Sequence, residues 1–105
     1  MVALALTVSA CDAFMSPQHR VDRAQQAIAA GDYRSASIDL RTALRAEGEN
    51  AATRLLMAQV AMKLGDPLTA QTELRKAREL GLKGEEAATL EADVLLALGK
   101  FGALI

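Results

Sequence analysis

The stretch AQQAIAAGDYRSASIDLRTAL, residues 24–44, returns 34 residues later as AQVAMKLGDPLTAQTELRKAR, residues 58–78. The two stretches align without a gap. Self-similarity at a fixed period indicates a repeat architecture, in which copies of one structural unit stack on each other. The identical pairs are Ala24/Ala58, Gln25/Gln59, Ala27/Ala61, Gly31/Gly65, Asp32/Asp66, Ala36/Ala70, Leu40/Leu74, Arg41/Arg75 and Ala43/Ala77.

The composition favours an all-helical unit. Aromatic residues make up only 3% of the 105 residues, and runs of Val, Ile and Thr typical of strands are missing. Gly31 and Gly65 are expected to end the first helix of each unit, because glycine takes a positive φ at little cost. The aspartate after each glycine is then expected to cap the second helix, as Ser16 caps a helix that begins at Pro17.

Within each unit the pattern resembles the tetratricopeptide repeat (TPR) family. That family has a small residue in the first helix, followed by Gly-x-Tyr, Ala, a large apolar residue and Ala. The resemblance implies an all-α fold, a TPR-like α-solenoid of antiparallel helix hairpins. Two full repeats, 17–50 and 51–84, and a partial third, 85–105, are expected. The matching residues are Ala24, Gly31, Tyr33, Ala36, Leu40 and Ala43, then Ala58, Gly65, Ala70, Leu74 and Ala77.

Two features depart from that family's pattern. The large aromatic residue usual early in the first helix is replaced by Arg20, Arg54 and Ala88. The chain also ends with FGALI, residues 101–105, about one turn into the expected second helix of the third repeat. Because a solenoid needs a polar capping element at each end, we expect these 105 residues to be a fragment of a longer array. The alternative is that the partial helix packs on something else.

The resemblance further implies protein or peptide partners, bound in a concave groove lined by the first helices. Co-chaperone members of the family hold a C-terminal carboxylate with Lys, Asn and Arg. The matching positions here are Val21, Gln25, Leu56, Glu86 and Leu90, so that carboxylate clamp is not expected. An alternative for Met62 and for the leucines at the expected groove is that they pack in the core of the helical hairpin instead. The predicted groove residues are Val21, Gln25, Ile28, Leu55, Gln59, Met62, Glu86, Asp93 and Leu96.

Near the N-terminus, residues 2–10 form a short apolar run that ends before the single cysteine. The run is about half the length that a membrane-spanning helix needs, and it suits the apolar region of a signal peptide. The tetrapeptide VSAC, residues 8–11, resembles the bacterial lipobox, whose cysteine is acylated after the preceding peptide is removed. The resemblance implies a signal peptide at 1–10, lipidation of Cys11 and a tether at 11–16.

Two further observations bear on this anchor. Asp12 resembles the residue that keeps enterobacterial lipoproteins in the inner membrane. No Lys or Arg lies between Met1 and Cys11, although signal peptides normally begin with a positive region, so the true start is either upstream or the lipobox is accidental. In the alternative, Cys11 is a small buried apolar residue of an N-terminal helix.

Catalysis is not expected. The glycines occur singly rather than in a phosphate-binding loop, and Cys11 and His19 lack a third orienting group. Glu85, Glu86, Glu91 and Asp93 suit an acid-rich helix start better than a metal site. With a net charge of −1, the chain is too balanced to predict nucleic-acid binding. The sequence therefore predicts no enzyme activity, no metal and no cofactor.

The order of parts narrows the functional prediction. The chain resembles the N-terminal part of TPR lipoproteins that accompany PEP-CTERM protein sorting and exopolysaccharide export. The resemblance lies in the order of lipobox, short tether and repeats, and in segments such as GDYRSASIDLRTAL and LGDPLTAQTELRKARELG. This resemblance implies a non-catalytic scaffold, lipid-anchored in the bacterial cell envelope and facing the periplasm. The alternative is a soluble cytoplasmic TPR interaction module without a lipid anchor.

Overall fold

The computed structural model describes residues 15–99, and within them every regular element is an α-helix. The all-α prediction is confirmed. Cys11, Asp12 and the segments 1–10 and 101–105, on which the anchor and chain-end predictions depend, lie outside the described residues. The helices are α1 (Pro17–Ala29), α2 (Tyr33–Ala46), α3 (Ala51–Lys63), α4 (Pro67–Glu79) and α5 (Glu85–Leu98).

The helix boundaries follow from capping side chains and from glycines with positive φ. Gly31 and Gly65 follow α1 and α3 with φ of 78° and 76°, in the region that other residues rarely adopt. Gly99 also follows its helix, but with a right-handed φ of −61°. At the start of four of the five described helices, a side-chain oxygen accepts a hydrogen bond from the backbone N–H three residues ahead. These N-caps are Ser16 for α1, Asp32 for α2, Asn50 for α3 and Asp66 for α4.

The helices pair as the hairpins α1–α2 and α3–α4, and α5 packs on α4 and touches α3. Alanines lie at the helix contacts because a methyl group lets two backbones approach closely. Ala24, Ala36, Ala58 and Ala70 are fully buried. Leu40, also fully buried, and Leu74 supply larger side chains to the same core. The repeat register predicted from the sequence therefore matches the packing.

Ion pairs join the two helices of each hairpin. In the second repeat, Arg54 of α3 donates Nη1 to Oε2 of Glu73 on α4 at 2.7 Å, and its Nε to the Gly48 carbonyl at 3.0 Å. Both charged side chains are mostly buried. Arg54 occupies a position where the family usually has an aromatic residue, so an ion pair within the hairpin replaces apolar packing there.

The first repeat also has an ion pair between its two helices, and its acid, Asp39, stands 34 residues before Glu73. Asp39 of α2, which is 6% exposed, accepts two hydrogen bonds from Arg23 of α1, at 2.9 and 2.7 Å. Arg20, the counterpart of Arg54, approaches the same carboxylate at 3.7 Å. The hydrogen bonds from Arg23 lower the pKa of Asp39 below its usual value, and the two positive charges act in the same direction against the opposing effect of burial.

Candidate protein-binding groove

A groove of about 860 Å³ runs across the first helices of the three repeats. Its floor combines apolar side chains from α1, α3 and α5 with the ring of Tyr33 at the start of α2. Residues of α1, α3 and α5 line it, while α2 packs against α1 and α3, and α4 packs against α3 and α5. The lining residues are Ile28, Tyr33, Leu56, Gln59, Val60, Met62, Lys63, Glu85, Glu86, Thr89, Leu90 and Asp93.

The polar side chains of the groove are unevenly distributed. Glu85, Glu86 and Asp93 all come from α5, whereas Lys63 at the end of α3 is the cation of the lining. Gln59 of α3 donates its Nε2 to Oε1 of Glu86 at 2.6 Å, which links the second repeat to the third across the groove. One wall is thus acidic, and the floor is apolar.

Five of the nine predicted groove residues line this groove, and four do not. Val21 is partly buried against the core, beside a separate small recess near Asn50 and Thr53. Gln25 is exposed outside the groove lining, and Leu96 is 57% exposed outside it. Leu55 is buried in the core, only 8% exposed. The residues that line the groove are Ile28, Gln59, Met62, Glu86 and Asp93, and their role in binding stays a prediction.

Several lining residues were missing from the predicted set. Leu56 and Leu90 occupy positions of the carboxylate clamp in the co-chaperone relatives, so the resemblance had already pointed to them. The sequence analysis matched Tyr33 only to the repeat pattern of the family, and the structure places it both against the core and on the groove. The others that the sequence did not single out as groove residues are Val60, Lys63, Glu85 and Thr89.

A second recess of about 630 Å³ lies between α4 and α5. Its lining includes Leu74, Val94 and the half-exposed Leu95, together with the polar side chains of Arg75 and Arg78. Arg78 of α4 forms an ion pair with Glu91 of α5 at the edge of this recess. The Leu95 side chain of α5 is therefore open to solvent beside α4.

Residues 15–99 contain neither a candidate metal cluster nor a helix that could span a membrane. There, His, Cys, Asp and Glu side chains do not gather in groups of three or more that could hold a metal ion. None of the five described helices has both the length and the apolar character needed to cross a membrane.

A protein-family model matches most of the described part of the chain. The sequence profile described as Tetratricopeptide repeat matches residues 27–94, which is more than half of the chain and covers the last three residues of α1, all of α2, α3 and α4, and the first ten residues of α5. No curated protein and no solved structure matches the chain. The family match, the 34-residue period and the stacked helical hairpins agree, and the chain belongs to the tetratricopeptide repeat family.

Proposed function

We propose that this chain is a non-catalytic scaffold whose groove binds segments of partner proteins. Tetratricopeptide repeats serve in general as protein–protein interaction modules, so the family supports a scaffold function. The observation that supports this particular site is the apolar groove of about 860 Å³ across α1, α3 and α5. An exposed apolar surface of this kind is typical of a binding site for another chain.

A photo-crosslinking amino acid placed at Leu56 tests this proposal in cells of the native host. Leu56 lines the groove, whereas Ile38, on α2, is 60% exposed outside the groove lining and provides the matched control position. Crosslinks to defined partner proteins are expected from position 56 and not from position 38. Equal adduct patterns from both positions would contradict binding in the groove.

The lipid anchor is the second part of the proposal. It is supported by the VSAC tetrapeptide at residues 8–11 and by the short apolar run before it. Attached acyl chains contribute about 0.8 kcal/mol per buried methylene, and more than one chain gives stable anchoring. Wild-type protein is expected to incorporate labelled palmitate and sediment with membranes, and Cys11→Ala should lose both. Equal sedimentation of the two proteins would instead favour the soluble cytoplasmic module without an anchor.

We further propose that the anchored chain faces the periplasm and takes part in protein sorting or exopolysaccharide export. The order of lipobox, tether and repeats supports this role by resemblance. Deletion of the gene is expected to reduce exopolysaccharide release or surface delivery of sorted proteins, and wild-type protein should restore it. If Asp12 acts as an inner-membrane retention residue, Asp12→Ser should move the protein toward the outer membrane. An unchanged distribution would mean that Asp12 has no such role.

A further inference from the structure

The groove offers a charge pattern in addition to its apolar floor. Glu86 and Asp93 are seven residues apart, two turns along α5, so their side chains lie on one face about 10 Å apart. Glu85 extends the acidic wall at the start of the helix. All three side chains are exposed to solvent. A row of carboxylates therefore runs along an apolar surface.

These carboxylates differ from the acidic residues between neighbouring helices. Asp39, Glu73 and Glu91 each have an arginine partner on an adjacent helix. By contrast, no Lys or Arg among residues 15–99, Lys63 of the groove included, forms an ion pair with Glu85, Glu86 or Asp93. The hydrogen bond from Gln59 occupies one oxygen of Glu86 and leaves the other able to accept a further donor.

The geometry points to a positively charged occupant. We propose that the groove binds a segment of a partner protein that carries at least two lysine or arginine side chains next to apolar ones. The apolar side chains would contact the floor at Leu56 and Met62, and the cations would meet Glu86 and Asp93. A spacing of about 10 Å corresponds to three residues of a segment in the polyproline II conformation, in which side chains three residues apart lie on the same face. The inference rests on the proposed groove function and specifies its partner.

A random dodecapeptide library displayed on phage and selected against the purified full chain tests this inference. Peptides that bind the wild type but not Thr89→Trp count as groove ligands, because Thr89 is an exposed lining residue where a large side chain fills the groove. The groove ligands are expected to carry a net positive charge with lysine or arginine repeatedly three residues apart. Their affinity should fall as the salt concentration rises, because exposed charges are screened.

A matched pair of variants then isolates the groove carboxylates. Glu86→Gln with Asp93→Asn should weaken the selected cationic peptides about tenfold, through the loss of two partly exposed ion pairs. Glu47→Gln with Glu49→Gln changes the net charge equally outside the groove lining and should leave binding within about twofold. Melting curves of both variants verify the fold.

The remaining outcomes separate this inference from the groove function. Groove ligands that are neutral or acidic, or that bind both double variants equally, would overturn the charge inference and leave the groove function intact. If selection gives no peptide sensitive to Thr89→Trp, both are wrong. Concentration-dependent sedimentation that is abolished by Glu86→Gln with Asp93→Asn would show that a second copy of this chain occupies the groove, and that result would also overturn the inference.

Discussion

Removal of the carboxylate that joins α1 to α2 should destabilise the first repeat strongly. Asp39→Ala eliminates both hydrogen bonds from Arg23 and the approach of Arg20. Breaking a fully buried ion pair costs about 3–5 kcal/mol. The Arg23 side chain is 46% exposed, so water replaces much of its lost interaction, whereas that of Arg20 is 18% exposed. We therefore expect a loss of about 2–3 kcal/mol of unfolding free energy for the first repeat.

The measurement is hydrogen exchange of the backbone amides at neutral pH, with Asp22→Ala as the matched control. Asp22, also on the first hairpin, is exposed, and within residues 15–99 its carboxylate accepts a hydrogen bond from Gln18 alone. A loss of 2 kcal/mol corresponds to about thirtyfold faster exchange in α1 and α2. The loss should be smaller in α4, because a repeat is stabilised mainly by its immediate neighbours. If Asp39→Ala and Asp22→Ala behave alike, the ion-pair account is wrong.

The same pair predicts how stability depends on pH. The pKa of Asp39 is lowered in the folded chain, so its contribution is fully present above the unfolded-state pKa of about 3.9 and is lost as the pH falls through the folded pKa. The difference in unfolding free energy between wild type and Asp39→Asn should therefore be largest near neutral pH and shrink in acid. The capping aspartates remain in both proteins, so they cancel in this difference. A difference that does not change with pH would contradict the assignment.

Three further predictions concern the repeat packing. Ala36→Leu and Ala70→Leu should each cost about 1–3 kcal/mol by overpacking a helix contact, and a circular-dichroism melt without loss for either would contradict the register. Gly65→Ala should cost about 1–2 kcal/mol because its φ of 76° is unfavourable for alanine, and an unchanged urea midpoint would refute this reasoning. Amides of α5 (Glu85–Leu98) should exchange faster than those of α3, because within residues 15–99 α5 packs only against α4 and α3, and equal protection would show that more of its surface is covered.

The sequence predicted the fold closely because each repeat encodes both the ends of its helices and the small residues at which the helices pack. A glycine followed by an aspartate has to end one helix and begin the next, since only glycine adopts the required φ cheaply and the carboxylate satisfies an otherwise unbonded amide. Gly31 with Asp32 and Gly65 with Asp66 do this at the same place in both repeats. Alanines that are identical in the two repeats, Ala24 with Ala58 and Ala36 with Ala70, then define the helix faces that pack together.

The groove was harder to predict, because each residue rotates the side-chain direction by about 100° around a helix. Leu55 and Leu56 are adjacent and chemically identical, yet the first is buried in the core and the second lines the groove. Val21 and Gln25 belong to the same helix as Ile28, but only Ile28, near its end, reaches the groove. The helical period predicts which residues share one face of each helix. Only the packing of the helices determines which part of that face is exposed in the groove that α1, α3 and α5 line.

The ion pairs between paired helices were also missed. The sequence showed arginine where the family has an aromatic residue, and acids at positions 39 and 73 share the 34-residue period. The connection between Arg54 and Glu73 depends on how α3 and α4 lie against each other, which composition does not reveal. A search for opposite charges that recur together at the repeat period could have found Arg54 with Glu73 and Arg20 with Asp39, but not Arg23, whose counterpart in the second repeat is Met57.

Binding of partner proteins across α1, α3 and α5 can be located by an NMR titration of the labelled full chain with a partner segment recovered by crosslinking at position 56. Amide shift changes are expected to concentrate at Ile28, Leu56 to Lys63 and Glu85 to Asp93. Changes concentrated instead around the exposed Ile38 and Leu68 on α2 and α4, with the groove amides unmoved, would contradict it.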